Sequence, residues 1–202
     1  MKHSAPFGLS ATTEQRLRGF VALLLDWNRR INLVARADEA DVWDRHVLDC
    51  VQLADLLPEP ASVLIDLGSG AGFPGLVLSI ATPWHVHLVE ADARKASFLR
   101  YAVRQTGANA SIHATRAERL ALPPVPVVTA RAFAPLSRLL PLAVPLLAPD
   151  GICVFPKGRS ATEELTDAGR EWQMQVERFP SRTNPDGTLL RLREIRRVTP
   201  TG

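Results

Sequence analysis

An α/β fold with a mostly parallel sheet, a helical front and a closing antiparallel hairpin follows from three observations. From Val63 onward, short apolar runs alternate with segments of helical periodicity, the signature of repeated βαβ units. Residues 1–60, in contrast, carry helical periodicity and no strand pattern. Near the end, Asn184-Pro-Asp-Gly187 joins two strand-like runs and leaves no room for a crossover helix.

The front opens at Thr12 or Thr13, which with Glu14 and Gln15 gives a helix-start pattern. Leu17, Phe20, Val21, Leu24 and Leu25 then recur at helical spacing as far as Ile31, with Arg16, Arg18, Arg29 and Arg30 off the stripe. A second helix starts at Asp38 or Asp41, carries Val42, Trp43, Val47, Leu48, Val51 and Leu53 on its apolar side, and is closed by Pro58-Glu-Pro60. Residues 1–60 are thus expected to form a helical extension packed on the core, and residues 61–202 one sheet domain.

In that domain Val63–Ile65, Val86–Val89, Ala110–Ala114, Val125–Thr129 and Ile152–Phe155 read as buried parallel strands. Helices are expected from Leu76, over 94–106 with Gly107 as C-cap, over 135–147, and from Thr162 to Gly169. Gln173–Arg178 and Thr188–Ile195 make the hairpin and complete a seven-stranded sheet.

With 46% hydrophobic residues and a mean hydropathy of +0.01, the composition is that of a soluble globular protein. No apolar run approaches the ~20 residues of a membrane span. The opening MKHSAPFGLS has no signal-peptide core. Two cysteines, Cys50 and Cys153, give neither a disulfide framework nor metal-ligand spacing, so a cytoplasmic protein without a metal is expected. The net charge is only +3, but all cations except Lys2, Lys95 and Lys157 are arginines. Arginine forks suit phosphate and base recognition. A GC-rich genome gives the same bias, so composition permits nucleic acid without demanding it.

Between Ser62 and Leu78 the first strand runs into Asp66 and then Gly68, Gly70, Gly72 and Gly75 before a helix begins. Such a turn lets a ligand lie against bare backbone at a helix N-terminus. Gly70-Ala-Gly72-Phe-Pro-Gly75 fits the dinucleotide pattern, with Glu90 about 20 residues on. The Gly68-Ser-Gly70-Ala-Gly72 spacing behind Asp66 instead resembles the first motif of class I S-adenosylmethionine (SAM)-dependent methyltransferases, in which the acid and the backbone serve the cofactor's methionine part. Pro74 favours SAM, because it removes an N–H that a pyrophosphate would use. The terminal hairpin favours the methyltransferase sheet as well.

In open α/β sheets ligands sit at the carboxyl ends of the strands. Glu90, directly after the second strand, is placed to accept from a ribose diol. Ala117 and Glu118 follow the third strand and could meet an adenine, although helix-capping acids are common there. Arg131 follows the fourth strand, where an arginine needs an anionic partner: Asp66, Glu118, the cofactor's carboxylate or the substrate. Lys157-Gly158 follows the fifth. His46 and Asp49 lie one turn apart on a helix face, for a structural contact or for the site.

Taken together, Asn32-Leu33, Arg45-His46-Val-Leu-Asp49, Asp66-Leu-Gly-Ser-Gly-Ala-Gly-Phe-Pro-Gly75, Arg131-Ala-Phe133 and Lys157-Gly158 resemble the bacterial ribosomal RNA small subunit methyltransferase G family, also called glucose-inhibited division protein B. The likeness runs from the first helix to the last strand. It implies a Rossmann-like class I SAM-dependent methyltransferase that transfers a methyl group to N7 of one guanine in 16S rRNA, free or in a small-subunit precursor particle; a monomer is expected. It implies SAM contacts at Gly68, Gly70, Phe73, Glu90, Ala117 with Glu118, and Arg131, and places His46 and Lys157 on the RNA side. Pro156 before Lys157 and Cys50, where serine is usual, depart from the family pattern.

Guanine N7 is already a lone-pair acceptor, so its methylation needs no general base. Accordingly, Ala130-Arg-Ala-Phe133 stands where an exocyclic-amine methyltransferase has Asn/Asp-Pro-Pro-aromatic, and Cys153 lies inside a strand. RNA as substrate predicts Arg16, Arg29, Arg30, Arg94, Arg100 and Arg104 around the mouth of the site. The competing readings are a SAM-dependent methyltransferase of another RNA, a protein or a small molecule; a non-catalytic ribosome-binding module; and a dinucleotide oxidoreductase.

Overall fold

A computed structural model describes residues 6–198 of the chain; residues 1–5, where the opening without a signal-peptide pattern begins, lie outside it. Helix α1 spans Ala11–Asn28, capped by Ser10 rather than by Thr12 or Thr13: the Ser10 hydroxyl accepts from the Thr13 N–H at 3.1 Å. It ends three residues before the expected Ile31. Leu17, Phe20 and Leu24 form its buried stripe and share one apolar cluster with Leu64, Val86 and Leu88 of the sheet. Burying a phenylalanine such as Phe20 contributes roughly 1.5–3 kcal/mol.

The second helix is not the single element expected. The chain passes through a 3-10 stretch (Arg36–Asp41), a π-helical stretch (Trp43–Leu48), a turn of α-helix α2 (Asp49–Val51) and another 3-10 stretch (Gln52–Leu56). Apolar periodicity locates such a segment but does not set its winding.

The remaining elements are β1 (Val63–Leu67), α3 (Gly75–Ala81), β2 (His85–Val89), α4 (Ala93–Thr106), β3 (Ala110–His113), β4 (Val125–Thr129), α5 (Leu136–Ala143), β5 (Leu147–Lys157), α6 (Ala161–Ala168), β6 (Trp172–Pro180) and β7 (Thr188–Arg197). Asp92 caps α4 by accepting from Arg94 N and Lys95 N, and Gly107 ends it at φ +61°. The α5 helix is shorter than expected and β5 longer, because Leu147–Gly151 joins the strand.

The seven strands run β3-β2-β1-β4-β5-β7-β6. The first five are parallel, and β7 lies antiparallel between β5 and β6. Strand order reverses between β1 and β4, where Asp66 is level with Leu88 on one side and Thr129 on the other. The helices α1, α3 and α4 cover one face and α5 and α6 the other, giving two apolar clusters separated by the sheet. Between β3 and β4 the chain makes only a 3-10 turn (Ala117–Arg119), so the carboxyl end of the sheet stays open there.

Candidate functional site

The glycine turn sits at the topological switch point. Gly68, at φ +68°, has no room for a side chain: a Cβ there would come within 2.2 Å of Phe133 Cδ2. Glu90 is held by two backbone donors, with Oε2 accepting from Gly70 N at 2.8 Å and Oε1 from Asp92 N at 2.7 Å. Its carboxylate is therefore fixed in orientation at the end of β2.

Asp66 has a role the sequence did not suggest. It is fully buried behind the turn, and its Oδ2 accepts from Gly75 N at 3.1 Å, which fixes the start of α3. A Cβ on Gly75 would lie 2.5 Å from that oxygen. Burial pushes the Asp66 carboxyl up to about 7, against the hydrogen bonds that favour its charged form. Its Oδ1 is buried without a hydrogen-bond partner.

A cavity of about 390 Å³ opens over the turn. Of the residues expected at the cofactor, Gly68, Gly70, Phe73, Glu90, Ala117 and Arg131 line it. Glu118 does not: its side chain is exposed, and only Ala117 of that pair reaches the wall. Leu33 and Val34 close the cavity from the helical front. They are held by Asn28, whose Oδ1 accepts from both their N–H groups at 2.7 and 3.0 Å. Asn28 was missed in the sequence, although a polar residue in register with Leu17, Phe20 and Leu24 on a buried stripe is the signal for such an organiser.

Arg131 does not meet Asp66 or Glu118, as its position after β4 suggested. It reaches back to the helical front, donating from one arm to His46 Nδ1 at 2.9 Å and from the other to Asp49 Oδ2 at 3.4 Å. Its guanidinium lies 5.0 Å over the Phe73 ring, and the His46 ring is 5.2 Å from the same phenyl. Asp49 Oδ1 in turn accepts from Gln52, Ser181 and Thr183. One carboxylate thus ties the front to the tip of the β6–β7 hairpin. Ser181 and Thr183 also went unread; their only mark in the sequence is adjacency to the Asn184 turn.

Because an arginine has no acceptor, His46 Nδ1 must accept and its proton sits on Nε2. Burial, then the Arg131 charge, pushes the imidazole down to about 4. His46 is a neutral ring with its basic nitrogen already in use. Burial raises both thiols, Cys50 to about 12, so neither cysteine is a nucleophile.

A second cavity of about 610 Å³ adjoins the first and shares His46, Arg131, Ala132 and Phe133 with it. Lys157, expected on the RNA side, lines this second cavity, where Nζ meets Glu164 Oε2 at 2.8 Å and donates to Ala134 O at 2.9 Å. Ala132 adopts φ +50°, a left-handed backbone that costs a non-glycine residue about 1 kcal/mol or more.

Of the six arginines expected around the mouth, none lines either cavity. Arg16 is a structural tie, donating to Thr106 O and Gly107 O at 2.9 Å each. Arg29 pairs with Asp26. Arg30 and Arg94 line a small hollow that shares Lys95 with the first cavity.

The sequence model of the family described as "GidB: rRNA small subunit methyltransferase G" matches residues 13–187. The chain is 59% identical over 191 residues to the ribosomal RNA small subunit methyltransferase G of Rhodospirillum centenum, covering 95% of this chain and 88% of that one. It is 52% identical over 195 residues to the protein of the same name from Rhodospirillum rubrum, covering 96% and 97%. Among solved structures, a putative O-methyltransferase from Klebsiella pneumoniae superposes with a TM-score of 0.60 at 14% identity, over 92% of this chain and 97% of that one. A SAM-dependent methyltransferase from Aquifex aeolicus gives 0.59 at 15% identity, over 78% and 94%. These two share the fold. The family match and the close relatives, spanning nearly the whole chain, place this protein in the rRNA small subunit methyltransferase G family.

Proposed function

We propose that the protein transfers a methyl group from SAM to N7 of one guanine in 16S ribosomal RNA. Family membership makes it a SAM-dependent rRNA methyltransferase; guanine N7 is what the likeness to the family implies, and a site without a free base is consistent with it. The observation that carries the reading is the pair of cavities meeting at one wall of His46, Arg131, Ala132 and Phe133.

The first cavity suits SAM. Bare backbone at Gly68 and Gly70 lets a ligand approach closely, and the oriented Glu90 carboxylate is available to a ribose diol. Phe73 and Ala117 add apolar walls. When bound there, SAM supplies a methyl carbon made electrophilic by its sulfonium.

Among the described residues, neither this wall nor the second cavity offers a free base. His46 accepts from Arg131, Asp49 is held by four donors, and Lys157 is paired with Glu164. Such a site suits an acceptor that loses no proton. With SAM held by Gly68, Gly70 and Glu90, an N7 lone pair would take the methyl carbon as the carbon–sulfur bond broke, and the positive charge would pass to the purine with no proton to remove. Rate then comes from alignment and from a fixed electrostatic surround. Arg30, Arg94 and Lys95 around the small hollow suit RNA phosphates, whose contacts position without reading sequence.

The test is transfer of label from radioactive SAM to 16S rRNA or small subunits lacking the modification, followed by borohydride and mild alkaline cleavage. The expected result is strand scission at a single guanine, which marks N7 methylation. Label on an exocyclic amine, or none on rRNA, contradicts the proposal.

A further inference from the structure

Phe133 is the one phenylalanine, tyrosine or tryptophan among the described residues that stands in the open, 38% exposed. It belongs to neither apolar cluster. The Cγ–Cδ2–Cε2 edge of its ring rests over Gly68, where a Cβ would collide with it. The preceding Ala132 holds a left-handed backbone, at φ +50°. The loop after β4 thus carries strain and leaves a large apolar ring uncovered at the junction of the two cavities. An aromatic left open in this way fits a partner with an apolar face of its own.

The neighbouring charges say what kind of partner. In the second cavity Lys157 is neutralised by Glu164, and Arg131 by Asp49. Among the described residues, no cation there is free for a phosphate. Arg30 and Lys95, which have no ion pair among the described residues, line a hollow that shares Lys95 with the first cavity, and neither lines the second. The group entering the second cavity is therefore neutral and flat, while the charged backbone of the same ligand stays outside.

We infer that Phe133 is the platform on which the target base stacks after leaving its RNA helix, at the wall that faces the cofactor cavity. The inference rests on the rRNA methyltransferase reading above. Aromatic faces hold splayed bases without reading their identity. Phe133 is accordingly a binding and positioning residue rather than an acid or base.

The experiment compares wild type with Phe133→Tyr, Phe133→Trp, Phe133→Leu and Phe133→Met. It measures kcat/KM for unmethylated 16S rRNA, SAM affinity by titration and thermal melting. Loss of the stack is expected to lower kcat/KM roughly tenfold to a hundredfold in the Leu and Met variants, while Tyr and Trp stay within about threefold of wild type. SAM affinity is expected to change by less than about threefold in all four, because Gly68, Gly70 and Glu90 remain. Two non-aromatic variants keep the comparison intact if one of them fails to fold. Full activity in Leu and Met, or Tyr and Trp as poor as Leu, overturns the inference. So does SAM affinity falling in step with turnover, which would make Phe133 part of the cofactor floor. A wild-type protein that labels no rRNA overturns the function itself, and that result is read before any variant is compared.

Discussion

Arg131 donates to Nδ1 of His46 at 2.9 Å, across 85 residues of sequence, and so fixes which imidazole nitrogen carries the proton. A general-base histidine would need that lone pair. The methyl-transfer rate is therefore expected to stay level from about pH 8 down to about pH 6, with no limb at the usual histidine pKa. Folding shows the linkage instead. The imidazole falls from 6.5 to about 4 on folding, so its contribution to stability is full above 6.5 and is lost as pH drops through that window. Urea unfolding of wild type and His46→Gln across the window checks this: the wild type should lose the more stability toward acid. A rate profile that titrates near 6.5 and vanishes in His46→Gln would restore the base.

Arg131 is held as a fork, one arm on His46 and one on Asp49, with its side chain and that of Asp49 both less than a fifth exposed, at 18% and 16%. Arg131→Ala leaves Asp49 Oδ2 and the His46 Nδ1 acceptor without their donor, at an expected cost of about 1–3 kcal/mol. Turnover should drop more than about tenfold as the shared wall loosens. Arg131→Lys keeps the charge without the fork and should recover little of either. Denaturant unfolding and steady-state assays measure both, and full recovery by lysine would show that charge alone matters.

Gly75 is where α3 meets the buried acid. Gly75→Ala places a methyl group 2.5 Å from both Asp66 Oδ2 and Leu88 Cδ2. An expected loss of about 1–3 kcal/mol should appear in thermal melting. SAM affinity should fall with it, because the turn and the helix start are one unit.

Asp66 gives the opposite pH signature to His46. Its carboxyl rises from 3.8 to about 7 on folding, so the folded state binds the extra proton between those values. That contribution is complete below 3.8 and is lost as pH rises through about 7. Asp66→Asn keeps an oxygen for Gly75 N–H and removes the titration. Its stability relative to wild type should therefore improve steadily as pH is raised across the range. A difference between the two proteins that does not change with pH would contradict a raised carboxyl.

Local chemistry made most of the sheet legible. The five parallel strands and the closing hairpin show in short apolar runs and in the Asn184–Gly187 turn, and the observed strands lie where those runs are. Gly68, Gly70 and Glu90 were readable as a cavity because a glycine turn and an acid after a strand act through the backbone next to them. What failed was long-range. The partners of Arg131 come from 82 and 85 residues upstream, and only the docking of the helical front brings Asp49 and His46 to it. Asp66 was misplaced because position after a strand does not say which side of the turn a side chain takes. Arg16 and Glu118 went the same way: one found backbone carbonyls on α4, the other found solvent.

The most direct test of the account is titration of SAM into the wild-type protein and into Glu90→Ala, followed calorimetrically with thermal melting as a check on folding. The account predicts one SAM site per chain in the wild type and affinity weaker by at least about tenfold in the variant, whose fold persists. Equal affinity in the two proteins, or no binding to the wild type, would contradict it.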